Sequence, residues 1–159
     1  MPQKIKKKTM KVSCYEYAVY LLSIRLLSVG QLRQKLQKKG YTEAEIAEVI
    51  QRLSDLKYLN DEQFAQIYFE NLIKYKLFGY FGIKKKLLER KIASAEVEKL
   101  LRKFSIADEL VIARKAAAKN PRKTREQLVR LLSSKGFRSD VVFKVANVRL
   151  EDPDQAPAE

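Results

Sequence analysis

The sequence predicts an all-α protein of three tandem three-helix repeats, about nine short helices, stacked as an elongated, curved array. Three observations carry that expectation. Leu, Lys, Glu, Gln, Arg and Ala dominate the 159 residues, while glycine and proline number only five and four; the dominant residues lose little side-chain freedom in a helix. One apolar spacing occurs three times along the chain. The residues that start and stop helices recur around each copy.

The spacing runs Leu32, Leu36, Tyr41, Ile46, Ile50, with steps of four, five, five and four. Ile83, Leu87, Ile92, Val97 and Leu101 repeat it, as do Leu128, Leu132, Phe137, Val142 and Ala146, at offsets of 51 and 45 residues. Steps of three and four put apolar side chains on one helix face, and a five-residue step bridges the turn between two helices.

The first copy, residues 12–60, opens with a helix over 13–27 whose face holds Ala18, Leu21, Leu22 and Arg25. Ser28 with Gln31 reads as a capping box for a helix over 29–39. Lys38 and Lys39 suit that helix's negative end, and Gly40 suits the left-handed position beyond it. Thr42 with Glu45 starts a third helix over 43–57. The second copy, residues 61–104, has helices over 61–76 (Phe64, Ala65, Tyr68 and Leu72 inward), 80–90 from a cap at Gly79, and 94–104 from Ser94. Its middle helix ends in Arg90-Lys91. The third copy, residues 105–150, has helices over 105–119 (Leu110, Ala113, Ala117), 124–135 from a Thr124–Gln127 box, and 139–150 from Ser139, with Lys135-Gly136 closing the middle one. Three short helices give a small core, so neighbouring copies are expected to bury surface between them. Residues 1–11 read as a flexible basic tail and 151–159, EDPDQAPAE, as a disordered acidic one.

Composition excludes several chemistries. With no histidine and Cys14 as the only cysteine, there is no zinc finger, no imidazole acid–base catalysis and no Ser-His-Asp triad. Cys14 reads as a small buried hydrophobe. No phosphate-binding G-x-x-x-x-G-K-[ST] or G-x-G-x-x-G string occurs; a cap and a turn account for Gly79 and Gly82. Asp61/Glu62 and Asp108/Glu109 fall at helix starts, where carboxylates complement the dipole. The expectation is no enzyme, no cofactor and no metal. The basic start MPQKIKKKTMK precedes YEYAVYLLSIRLL, which Glu16, Ser23 and Arg25 interrupt, so neither a signal peptide nor a membrane span is expected, and an unpaired cysteine suits the cytoplasm.

The net charge of +14 is uneven. Residues 74–91 carry +6 and 114–138 carry +8, whereas 12–73 and 92–113 carry −1 each. Concentrated charge attracts nucleic acid or an acidic protein surface. The candidate binding residues are Lys84, Lys85, Lys86, Arg90 and Lys91 of the second copy, with Arg122, Lys123, Arg125 and Arg130 of the third. The other reading is a solvated face that keeps the chain soluble. Tyr75, Phe78, Tyr80 and Phe81 are either a base-stacking platform or helix packing. A sequence-reading helix-turn-helix would want Arg, Asn or Gln aimed at bases, where these middle helices offer mostly lysine.

Taken together, the pattern resembles the RecX family, regulators of the RecA recombinase. The resemblance rests on Ala18-x2-Leu21-Leu22-x2-Arg25-x2-Ser28-x3-Leu32-x2-Lys35-Leu36 with Gly40-Tyr41. It continues in Tyr58-Leu59-Asn60-Asp61-x2-Phe64-Ala65 and Gly79-x3-Ile83-x3-Leu87-x4-Ile92. Gln31 and Lys86 stand where the family usually has Glu, and Arg90-Lys91 where it has Lys-Gly, which makes the middle copy more basic. The resemblance implies a cytoplasmic, monomeric, non-enzymatic regulator of DNA repair and recombination in the SOS response. Such a protein binds RecA and the RecA–DNA filament and inhibits ATPase and strand exchange, with weak direct contact to DNA and no membrane. The alternative is a basic DNA- or RNA-binding helical module that acts without RecA.

Overall fold

The computed structural model describes residues 11–151, with side chains described as far as residue 148. Both expected tails therefore lie outside the described residues, apart from Lys11 and Glu151. Among the described residues there are nine α-helices and no strand: α1 Cys14–Ile24, α2 Val29–Lys39, α3 Glu43–Asp55, α4 Asp61–Asn71, α5 Tyr80–Glu89, α6 Ser94–Arg102, α7 Ile106–Ala118, α8 Arg125–Ser134 and α9 Ser139–Glu151. All fifteen positions of the repeated spacing are buried, none more than 9% exposed. The repeat is thus a repeat of core positions.

Local chemistry sets the helix starts. Ser28–Gln31, Thr42–Glu45 and Thr124–Gln127 form reciprocal capping boxes, as the spacing predicts. Ser13–Glu16 and Ser105–Asp108 form two more. Ser94 is the first helical residue of α6 rather than its cap, which is Ala93 and makes no side-chain bond; Ser139 likewise opens α9 from inside.

Two helices depart from the expected spans for packing reasons. The first helix stops at Ile24, short of residue 27, because Arg25 turns extended and lets Leu27 and Ser28 bury. The helix expected over 61–76 is α-helical only to Asn71, and Leu72–Lys76 is a π-helical turn, π1. It ends on Leu77, left-handed at φ 53°, with Phe78 N–H donating to Leu72 O at 3.1 Å. The wider turn keeps Leu72 and Leu77 in the core while Tyr75 stays 63% exposed.

The described residues divide into two compact units, which meet between Asn60 and Asp61 in the chain. In the first, α1, α2 and α3 surround Cys14, Ala18, Leu36, Ile46 and Leu53. Cys14 is buried and unpaired; burial and then the charge of Glu45 push its thiol pKa up, so it is a poor nucleophile. In the second unit the middle and last copies share one core, which runs from Ala65 through Ile83, Leu101 and Leu128 to Ala146.

A glycine junction fuses those two copies. Gly79 N–H donates to Lys135 O (3.0 Å), and Phe81 and Gly82 N–H both donate to Gly136 O (2.8 and 3.4 Å). Tyr80 N–H donates to Oε1 of Glu109 (3.0 Å). The cap and first turn of α5 thus have every donor satisfied by the third copy, the N-terminal end of α5 meeting the carbonyl end of α8. A Cβ at Gly79, Gly82 or Gly136 would collide with Phe137, Lys135 O or the Gly82 backbone respectively. Three glycines let two backbones touch.

The equivalent turn positions Gly40, Lys91 and Gly136 are all left-handed, at φ 98°, 60° and 76°. A lysine there carries a Cβ strain of roughly 1–2 kcal/mol that glycine avoids. Lys91→Gly is therefore expected to stabilise the second unit by about 1 kcal/mol, read as a higher urea midpoint at unchanged m-value. No change in midpoint would mean that Lys91 carries no strain.

Candidate polyanion-binding surface

Ile83 and Leu87 fix α5 against the core with their side chains fully buried. Successive residues of a helix are about 100° apart, so Lys84, Lys85 and Lys86 must fan around the outer arc. Their surroundings differ. Lys84 Nζ lies 2.9 Å from Oε1 of Glu98 on α6. That hydrogen bond, then the carboxylate's charge, raise the Lys84 pKa. Its charge is already answered, which leaves it less to give a partner. Lys85 is exposed and beside Phe81 and Leu88 along an open groove. Lys86 reaches Glu89 at 3.4 Å and lies 5.7 Å from the centroid of the Phe78 ring. The Arg90 guanidinium stacks over Tyr68 at 4.9 Å, and Lys91 stands exposed on its left-handed turn.

Three of the third-copy candidates, Arg122, Lys123 and Arg125, stand at the N-terminal end of α8. Arg122 is exposed in the turn before the helix and Arg130 is exposed along it, while Lys123 is half-buried. Arg125 donates through Nε and Nη2 to Asn147 Oδ1 at 3.1 and 3.0 Å, so it braces α8 against α9. Along the ten residues of α8, Arg125 stands about 15 Å from the glycine junction and Arg130 about half that.

At the junction itself stands a lysine group outside the candidate set. Lys135 Nζ donates to Lys76 O at 2.8 Å and lies 5.1 Å from the Phe78 ring centroid. Burial, then the charges of Lys119 and Lys76, lower its pKa. Lys76 and Lys135 are 59 positions apart in the chain. A charge profile along the sequence includes both, yet only the fold brings them together.

Glu109 stands in the first turn of α7, where the sequence puts it, but its carboxylate serves another helix. Its side chain is fully buried. Its Oε1 accepts from Tyr80 N–H (3.0 Å) and Arg138 N–H (2.9 Å), and its Oε2 faces Arg138 Nη1 at 3.4 Å. Arg138 also covers the Tyr80 ring at 4.1 Å. Glu109 thus caps α5, a helix of the preceding copy. Asp108 does what both acids were expected to do, in a box with Ser105 that lowers its pKa by hydrogen bonding. Of the four aromatic candidates, Tyr75 and Phe81 are exposed, while Phe78 and Tyr80 pack partly against the core. No helix among the described residues is long and apolar enough to cross a membrane.

Comparison with known proteins supplies the family context. Residues 14–53 match the family model of RecX, first three-helix domain. A regulatory protein RecX of Oceanobacillus iheyensis is 29% identical over 139 residues, covering 82% of this chain and 51% of the relative. One from Caldanaerobacter subterraneus subsp. tengcongensis is 29% identical over 135 residues, covering 83% and 68%. The crystal structure of RecX from Lactobacillus salivarius superposes with a TM-score of 0.73 at 21% identity, over 87% of this chain and 96% of that one. The chain spans about half the length of the Oceanobacillus iheyensis and Listeria welshimeri relatives it matches.

Proposed function

We propose that this chain, similar to RecX proteins in sequence and fold, is a non-enzymatic regulator of homologous recombination and DNA repair that binds RecA and its nucleoprotein filament and inhibits its ATPase and strand exchange. It acts as a cytoplasmic monomer within the SOS response. The observation that supports the reading is the outer face of α5. α5, a helix whose N-terminal donors are all bound within the second unit, presents Lys85 and Lys86, and the turn that ends it presents Arg90 and Lys91. A rigidly held row of cations suits an extended acidic surface, because many modest contacts add when they are presented together.

RecA's single-stranded-DNA-dependent ATPase, titrated with the protein, tests this. ATP hydrolysis should fall with added protein. The charge reversal Lys85→Glu should raise the half-inhibiting concentration about fivefold, on the order of 1 kcal/mol for an exposed contact. ATPase unchanged at every ratio would remove the proposal. Inhibition that appears only where the protein coats free DNA, with a steep salt dependence, would favour the RecA-independent nucleic-acid-binding module instead.

A further inference from the structure

We propose that the second copy carries a groove for single-stranded nucleic acid, in which an unpaired base stacks on Tyr75 and its aromatic neighbours while flanking phosphates meet Lys76, Lys86 and Arg90. A cavity of about 540 Å³ lies between α4 with its π1 turn and α5, within the roughly 300–1,000 Å³ of small-ligand sites. Three rings, of Tyr68, Tyr75 and Phe78, line it together with those three cations.

The π1 turn builds the groove. By holding Leu72 and Leu77 inward, it leaves Tyr75 63% exposed at the rim and Lys76 exposed beside it. Single-turn π segments inside α-helices often mark functional sites. From the other wall, α5 contributes Lys86 and Arg90 one turn apart. Both lie over rings of the groove, Lys86 near Phe78 and Arg90 over Tyr68. At the junction end, Lys135 Nζ donates to Lys76 O at 2.8 Å, which brings a further cation to the groove's rim.

This pairing of features selects the ligand. An acidic peptide would answer the cations, but carboxylates offer no π-face to three rings. A nucleotide supplies both a base to stack and a phosphate to pair. In a duplex the base is already stacked and cannot reach a side-chain ring without unpairing, so the strand must be single.

The intact chain alone, without RecA, gives the test. It has eight tyrosines and no tryptophan, so tyrosine emission reports binding directly. A short oligo(dT) should bind at least about tenfold more tightly than an abasic oligonucleotide of equal length, the size expected for stacking. Tyr75→Leu should abolish that preference while leaving the melting temperature unchanged, since the ring is exposed. Lys76→Gln should weaken both ligands alike and flatten the salt dependence by about 0.7 in log–log slope. Equal binding of the abasic strand, equal binding of a duplex or of poly-glutamate, or a preference that survives Tyr75→Leu would each overturn the groove. Inhibition of RecA without any preference for bases would keep the regulator and lose the groove; the converse result would keep the groove alone.

Discussion

Gly136→Ala is expected to lower the stability of the second unit by more than about 3 kcal/mol, whereas Gly40→Ala, at the equivalent turn of the first copy, should cost only about 1 kcal/mol. Both residues are left-handed, so both alanines take on the same backbone strain. A Cβ on Gly40 meets nothing, while one on Gly136 runs into the backbone of Gly82. Backbone cannot rotate aside as a side chain can, so α5 must lift from the α8 turn. Its hydrogen bonds at Gly79, Phe81 and Gly82 then loosen together, each worth on the order of 1 kcal/mol. Urea unfolding of the two variants, followed by circular dichroism, measures the contrast. Equal losses would show that the junction contributes nothing beyond the turn itself.

Glu109→Ala should be of similar severity, about 3–5 kcal/mol, the range for removing one partner of a buried ion pair. The lower part of that range applies, because the Arg138 side chain is 26% exposed and can turn toward water. What cannot be rescued is the pair of backbone donors, Tyr80 N–H and Arg138 N–H, that the carboxylate serves. At roughly 4–8 °C per kcal/mol, a loss near 3 kcal/mol lowers the melting temperature by about 12–24 °C. Glu109→Gln keeps a carbonyl oxygen for both donors and removes the charge, so it should fall between alanine and the parent. If the glutamine variant were as unstable as alanine, the ion pair with Arg138 would be the important part. If neither variant changed the melt, the carboxylate would not be holding the junction.

Much of the architecture is legible in the sequence because it is local. A capping box needs residues three apart, and the Ser28, Thr42 and Thr124 boxes form where spacing puts them. The fifteen spaced apolar residues all enter a core, since a helix face follows from sequence period alone. The shortened α1 and the π1 turn were not legible, because the need to bury Leu27 and Leu77 overrides the local helical preference of their neighbours.

The candidate surface was legible as composition and less so as geometry. Lys84, Lys85, Lys86 and Arg90 read alike in a string. Yet one is paired with Glu98, one is exposed beside Phe81, and two lie over aromatic rings. Whether a charge is answered depends on what another helix brings opposite it, and no periodicity reports that. The Lys76–Lys119–Lys135 group shows the same limit.

The sequence by itself therefore determined the helices, the three copies and the face each helix buries, since these follow from propensity, capping and period over a few residues. Tertiary structure alone decided which copies fuse and which charges remain available. Gly40, Lys91 and Gly136 occupy one position of the repeat and one region of backbone conformation. A Cβ at Gly40 would meet nothing, whereas at Gly136 another backbone arrives and the missing Cβ lets two copies touch. Likewise, nothing in the order Asp108-Glu109 says that one acid caps its own helix and the other is buried against a different one. Contacts between residues far apart in the chain depend on how the packed helices meet, and that is a property of the folded volume rather than of any stretch of sequence.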